Sequence, residues 1–420
     1  MMKTLLLAVS VIFIAALTAN AACTGSSPTW TSTPDQTSVA GCITNAQTGD
    51  TINVSNGTAT WSALTVSKAI TLKGGNGGTT TINGSGGNVI TINPVSGKST
   101  RLTGFTFVSN PTGVDNTDTV IVNTGPGLAP FRIDNNTFTM TNNGTTMGLY
   151  GLGPGLVDHN TLTGGGAAEI IHILGAGSTS STAGWTDDII PGSYTVIYLE
   201  DNTVTGTDPT IISKISESYY GAREVIRYNH LHFVSVDAHG NSTNPSLVGT
   251  RWYEIYNNDF NDDGKAQCCS VSLRGGSGLV YNNTATGSSG FAFQIEEDAT
   301  CSNPDSNPYH VGSGILGGPT GANYSTPLYA WNNTNMGLDV QSCFTLGNQV
   351  KSSSSQPTLT KCESAADVNA GCSSTGVAQA YTYTPLVHPY PLDANGMPSP
   401  TSTTSAAKPV PPTNLLVSVQ

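Results

Sequence analysis

Charge is scarce in this chain. Of its 420 residues only 10% are Asp, Glu, Lys or Arg and only 7% are aromatic, whereas an average soluble domain carries roughly a quarter charged residues. Long charged helices, coiled coils and helical bundles are excluded. Positive charge is scarcer still: 15 Lys and Arg face 27 Asp and Glu, a formal net charge of −12. Binding along a nucleic-acid backbone is therefore disfavoured. The chain has no Cys-x-x-Cys pair and its 7 His are scattered, so a zinc ribbon is not supported. HExxH and GxSxG are also missing. Past residue 21 no apolar run approaches the roughly 18 residues needed to cross a bilayer. Gly97-Lys98-Ser99 imitates the end of a P-loop, but Ile92 stands where the first Gly of that motif belongs.

Turn and strand chemistry is abundant: 48 Gly and 23 Pro accompany many Thr, Asn and Ser. Hydrophobic residues make up 37%, enough for a sizeable core in one long all-β domain. The chain opens with Lys3, an apolar run from Leu5 to Leu17, and Ala19-Asn20-Ala21, which reads as a secretory signal over 1–21 cleaved after Ala21. A lipobox would place Leu where Asn20 stands, which argues against a lipid anchor on Cys23. The expected product is secreted to the extracellular space, is not inserted in a membrane, and is a monomer. Eight Cys in such a chain read as disulfides. Cys23–Cys42 and Cys362–Cys372 are the expected local staples, and Cys268, Cys269, Cys301 and Cys343 stay unassigned. After Leu392 the composition shifts. Residues 22–392 read as one domain, and 393–420 as a Pro/Ser/Thr-rich linker ending in a fragment of a further module. Asn53, Asn56 and Asn143 head glycosylation sequons, meaningful only in a host that uses them.

A repeat organises the middle of the chain. RIDNNTF, LVDHNTL, YLEDNTV, VIRYNHL, EIYNNDF, LVYNNTA and YAWNNTN align on Asn136, Asn160, Asn202, Asn229, Asn258, Asn283 and Asn333. With two gaps taken as double steps, the period is about 25 residues, the signature of a solenoid. Apolar residues stand three before and two after each Asn (Ile133 and Phe138, Val157 and Leu162, Ile226 and Leu231). The alternation is that of a strand turning a corner at the Asn, a residue that tolerates left-handed backbone angles. Further strands follow in each coil, such as AEIIHILG, SVDAHG and SVSLRGG. Two or three strands per coil with Gly-rich corners describe a parallel β-helix. A leucine-rich repeat would need Leu at fixed positions that this chain does not have.

The run GDTINVSNGTATWSALTVSKAITLKGG, the pair GTRWYEIYNNDF and SLRGGSGLVYNNT, and the closing YTPLVHPYPL together resemble secreted right-handed parallel β-helix proteins of the pectate-lyase-like superfamily. The resemblance spans roughly residues 35–392. It implies an all-β, right-handed parallel β-helix, with SVAGCITNAQTG as the short N-terminal helix that caps the first coil. It bears much less on activity.

On such a fold equivalent residues of successive coils lie about 4.8 Å apart, so two outward lines can be read. The first stands two residues before each Asn: Asp134, Asp158, Glu200, Arg227, Tyr256, Tyr281 and Trp331, flanked by Glu254 and Tyr329. Stacked aromatics suit sugar rings and an Arg fork suits a uronate carboxylate, so Arg227, Tyr256, Tyr281, Trp331 and Arg251 are candidate substrate-binding residues. Covering of a sheet face is the bland alternative. The second line comes from the later strands: Tyr150, Leu174, Tyr220, His239 and Arg274, with Gly148, His172, Ser218, Asp237 and Ser272 two residues earlier. β-Elimination on a polyuronate needs a base for the proton α to the carboxyl group and cations to neutralise the growing enolate. His239, Arg274, Tyr220, Asp237 and His172 are the candidate catalytic set, with His239 or Tyr220 as base and Arg251 or Lys214 as reserve cations. A hydrogen-bonded surface pair of Asp237 and His239 is the competing reading.

Calcium is the other neutraliser the resemblance implies. Asp259, Asn261 and Asp263 precede a Gly turn with alternating oxygen ligands, although Ser270 stands where an EF-hand places its closing Glu. An ordinary polar turn competes. A glycoside hydrolase would need two carboxylates at a defined spacing, which Asp134 with Asp158, or Asp158 with Glu200, can offer. Asn116-Thr117-Asp118, Asp187-Asp188 and Ala238-His239-Gly240 follow the order of polygalacturonase motifs, but the closing RIK is missing. The expected function is action on an acidic extracellular polysaccharide, first as a polyuronate lyase. Non-catalytic glycan binding and hydrolysis are the alternatives.

Overall fold

The computed structural model describes residues 22–399 apart from 76–77, 85–86, 110–118, 126–128, 142–143, 165–168, 176–189, 208–212, 240–248, 264–268, 288–291, 296–328, 341–359 and 362–382. From Thr51 to Ile295 the chain repeats one cycle of three short strands, each pairing parallel with its counterparts in neighbouring coils. A coil such as Phe131–Asp134, Thr137–Met140 and Met147–Gly151 therefore contributes one strand to each of three sheets. Among the described residues the first sheet has 13 strands, the second 9 and the third 10. The protein is an all-β parallel β-helix. The signal segment, the 362–372 cysteine pair, the Asn143 sequon and the three polygalacturonase-like matches fall wholly or partly outside the described residues.

Period-two alternation places one apolar row inside each sheet. In the first sheet Ile133, Val157, Leu199, Ile226, Ile255 and Val280 pair in register and are all fully buried. In the second, Phe107 stacks on Phe138 of the next coil with ring centroids 5.1 Å apart. Each such side chain contributes about 1.5–3 kcal/mol of burial.

The asparagine ladder is present, with one correction to its geometry. The left-handed residue at each corner is the one before the ladder Asn: Asn135, His159, Asp201, Tyr228, Asn257, Asn282 and Asn332 all have φ between 53° and 56°. Left-handed backbone there turns the chain so that the next side chain points inward. Asn136 Nδ2 donates to Asn160 Oδ1 at 3.1 Å, Asn160 to Asn202 at 3.1 Å, Asn202 to Asn229 at 3.0 Å, and the row continues through Asn258 and Asn283 to Asn333. Each Oδ1 also accepts the backbone N–H of the preceding coil's Asn, as Asn160 Oδ1 does from Asn136. The ladder saturates buried amides that would each cost about 1–3 kcal/mol if left unpaired, which offsets about 1–2 kcal/mol for each left-handed residue.

The expected cap is the helix Gln36–Asn45, with Asp35 as N-cap accepting from the Ser38 N–H at 2.9 Å. Val39, Cys42 and Ile43 close the first coil, and Cys23 is disulfide-bonded to Cys42 as the spacing predicts. Cys269 is also disulfide-bonded. At the other end of the chain, residues 383–399 lie along the outside of the first sheet. They run from the coil of Tyr281 back to that of Arg101, so packed structure continues past Leu392 to Ser399.

Candidate functional site

The first outward line is in the predicted register: Asp134, Asp158, Glu200, Arg227, Tyr256, Tyr281 and Trp331 pair in succession. The Trp331 side chain lies outside the described residues. The others are buried, because residues 383–397 cover them. Arg227 donates to Glu200 Oε2 at 2.6 Å and 2.5 Å, and to the Leu386 and Val387 carbonyls at 2.5 Å and 3.1 Å. The Tyr390 N–H donates to the second Glu200 oxygen at 2.7 Å. Tyr281 and Tyr383 share a hydroxyl contact at 2.7 Å, and the Tyr383 hydroxyl also reaches Glu254. Arg101 holds Asp134 and Arg132 holds Asp158 through two bonds each, and Arg132 also donates to the Gly396 carbonyl at 2.6 Å. Arg251 is buried at a corner where the chain passes from the third sheet to the first, outside this line.

The third sheet brings His172, Asp237, His239 and Arg274 together, with one residue changed in the register. His172 pairs with Glu217 rather than Ser218, Leu174 with Tyr219 rather than Tyr220, and Glu217 with Asp237. Tyr220 is the left-handed residue of the following turn (φ 53°), its ring 5.8 Å from that of Tyr219. The displacement arises at the turn, where Tyr220 is one residue more before Gly221 than the neighbouring coils have before their Gly; upstream, a β-bulge lies between Lys214 and Ser216 in the strand Ser213–Tyr219. The extra residue of the bulge puts Lys214 and Glu217 on one face, a pairing that strict alternation forbids.

The result is a dense ionic cluster. Arg274 donates to both oxygens of Asp237, Nε at 2.9 Å and Nη2 at 2.6 Å, and lies 3.3 Å from Glu217 Oε1. The Lys214 ammonium lies 2.7 Å from Asp237 and 3.0 Å from Glu217. His239 Nε2 stands 3.4 Å from Glu217 Oε1, to which the Tyr219 hydroxyl also donates. The Tyr219 ring lies 4.0 Å from that of His239 and 5.2 Å from that of His172. Burial pushes the Glu217 carboxyl up, but bonding to Glu169 together with Lys214, Tyr219 and His239 outweighs it and holds Glu217 well below the carboxylate range. Burial, and then the Glu217 charge, push the Tyr219 phenol far up, so it stays protonated. Lys214 is raised because Asp237 and Glu217 outweigh its own burial. The Arg274 and Lys214 side chains remain 12% and 25% exposed, so the cluster reaches the surface.

Glu224 points into the interior beneath this cluster, in the row of Ile197 and Tyr253. It accepts from the Ser218 hydroxyl at 2.7 Å, and burial pushes its carboxyl up to about 7.

The proposed calcium ligands lie elsewhere. Asp259 and Asn261 belong to the second sheet, where Asn261 accepts the Asp263 N–H at 2.9 Å and Asp263 meets His232 at 2.9 Å. A different group, Glu200, Asp201 and His388, brings three ligand atoms within 4.8 Å of one another. Glu200 is already neutralised there by Arg227, and His388 bonds Asp201 at 3.0 Å.

Fold and site together describe a parallel β-helix with a titratable cluster on its third sheet. No family model matches the chain, and no curated protein matches it. Among solved structures it is similar to a mannuronic acid specific polysaccharide family 6 lyase from human gut microbiota, at 15% identity and a TM-score of 0.36, over 75% of this chain and 82% of that one. Nothing about the chemistry of the site follows from that likeness.

Proposed function

We propose that the protein is an exported polysaccharide lyase that cleaves an acidic, uronate-containing polymer by β-elimination at the third-sheet cluster. One observation carries the reading: His239 and Tyr219 lie ring against ring over a shared Glu217, with Lys214 and Arg274 beside them. His239 takes the proton α to the uronate carboxyl group. Electrons then move to form the carbon–carbon double bond as the glycosidic C–O bond breaks, and the protonated Tyr219 gives its proton to the departing oxygen. Lys214 and Arg274 neutralise the enolate charge. The Lys214 ammonium fills the place between Glu217 and Asp237 that a divalent ion would take, so this donor set does not fit calcium. The Cys23–Cys42 disulfide supports an oxidising, extracellular setting. Among the described residues no helix is long and apolar enough to cross a membrane.

The test is incubation with pectate, alginate and other polyuronates, with and without chelator, read for unsaturated and for saturated reducing ends. Unsaturated ends that persist in chelator are expected. Absence of product across the panel would sink the reading. One observation favours glycan binding without turnover: Lys214 and Arg274 already have counter-ions in place. Retention on a polyuronate column without product would then be seen. Hydrolysis through Asp134, Asp158 or Glu200 gains no support, since Arg101, Arg132 and Arg227 clamp those carboxylates beneath the C-terminal segment.

A further inference from the structure

Net charge and local charge diverge at the N-terminal end of the first sheet. A groove of about 830 Å³ opens there, between the outer face of the first coils and the last turn of the C-terminal segment. Its size falls within the roughly 300–1,000 Å³ of small-ligand sites. None of the third-sheet cluster lines it. In a chain of net charge −12 it gathers Lys73 and Lys98, with Arg101, already paired to Asp134, beside them and Asp393 as the acid in its lining. Lys73 and Lys98 are exposed and, among the described residues, form no ion pair. Lys98 belongs to the Gly97-Lys98-Ser99 turn, which fails as a P-loop and here sits on the rim of the groove.

Between the cations the sheet offers neutral hydrogen-bonding groups at strand spacing. Thr51, Thr71 and Arg101 form one row across three coils, and Asn53 and Lys73 form the next. Hydroxyl and amide groups interleaved with cations match a chain of sugar hydroxyls and carboxylates, and Tyr194 adds an aromatic edge. We infer that this groove binds a segment of an acidic oligosaccharide, as an accessory site on a face separate from the third-sheet cluster. The groove geometry stands without the lyase reading, which suggests only that the two ligands belong to one chemical class.

The test uses hydrogen exchange on the full chain carrying Lys214→Gln, so that no ligand is consumed, with oligogalacturonate and oligomannuronate as probes. Ligand should protect Thr51–Val54, Thr71–Lys73 and residues 393–399. Adding Lys73→Gln and Lys98→Gln should raise the dissociation constant for this protection roughly tenfold. Protection on the third-sheet strands should not change. Equal protection by neutral oligosaccharides or by an oligonucleotide, or protection that survives the double substitution, would overturn the inference. Failure of the lyase reading would show instead as missing unsaturated ends from the unsubstituted chain, with groove protection intact.

Discussion

Two faces of one solenoid carry the same kind of ladder, yet they end up as different objects. On the first sheet, acids, Arg227 and tyrosines stand in register across successive coils, and residues 383–397 lie over them and supply backbone carbonyls and an N–H as partners. On the third sheet, acids, bases and a tyrosine stand in register across fewer coils and, among the described residues, pair with one another through their side chains, with Lys214 and Arg274 partly exposed. Ladder composition does not separate a binding face from a structural one. Among the described residues, what separates them is that residues 383–397 return over the first-sheet ladder, where every charge is buried and must be paired, whereas Lys214 and Arg274 keep the third-sheet cluster partly open.

The largest expected effect tests that division through turnover. Replacing Tyr219 with Phe or His239 with Ala should lower the rate of unsaturated-end formation by about 10²–10⁴-fold and leave the melting temperature nearly unmoved. Tyr256→Phe, on the covered face, should leave turnover unchanged. A Tyr256 variant that matched the Tyr219 variant in lost turnover would invert the assignment of the two faces.

Next comes stability. Arg227→Met strands Glu200 without its main counter-ion and frees the Leu386 and Val387 carbonyls, so unfolding free energy should fall by about 3–5 kcal/mol. Denaturant titration measures it. A loss within about 1 kcal/mol would mean that the C-terminal segment is loosely held and the first sheet is available to ligands.

The β-helix and its Asn register were legible because the Asn-centred motif recurs in seven coils, although the period is not uniform: the gaps from Asn160 to Asn202 and from Asn283 to Asn333, read as double steps, are single coils lengthened by inserted residues. So were the Cys23–Cys42 bond, from the closeness of the two residues in the chain, and the helical cap, from the resemblance of SVAGCITNAQTG to the capping helix of such proteins. The corner geometry was displaced by one residue. Asn occurs at both positions in RIDNNTF and EIYNNDF, and the inward demand falls on the second. His159 and Tyr228, at the left-handed position, break the propensity rule that would otherwise point to it. At the candidate site Asp237, His239, Arg274 and His172 were found from alternation, but Glu217 and Tyr219 were passed over. The turn before Gly221 is one residue longer than in the neighbouring coils, so counting back from that Gly lands on Tyr220 and Ser218 instead. The covering of Arg227, Tyr256 and Tyr281 was not legible at all, since the segment that covers them lies more than 100 residues further along the chain.

Glu224 gives a pH signature that belongs to the interior beneath the third-sheet face. Its carboxyl is raised from 4.5 to about 7 in the folded protein. A raised acid binds its proton more tightly when folded, so its stabilising contribution is complete below about pH 4.5 and is lost as pH climbs through about 7. The span corresponds to about 3 kcal/mol. Glu224→Gln should remove this dependence, so the variant gains on the parent between those limits. Parallel stability profiles for the two proteins would show that the Ser218 bond already stabilises the ionised form.

The smallest effect isolates how the covering segment is attached. His388 stacks on Tyr228 with ring centroids 3.6 Å apart and bonds Asp201 at 3.0 Å. Asp201 and Tyr228 are left-handed corner residues of adjacent coils, so the corners that build the Asn ladder inside also present two side chains outside. The ion pair is partly exposed and worth less than about 1 kcal/mol, and the stack adds about 0.5–1.5 kcal/mol. His388→Ala should therefore speed amide exchange at residues 386–392 by about tenfold while leaving exchange in the first-sheet strands beneath unchanged. The buried Arg227–Glu200 pair would keep the segment seated. If the substitution instead lowered global stability as much as Arg227→Met, the segment and the solenoid would unfold as one unit, and the covered face would be part of the core rather than a ladder with a cover.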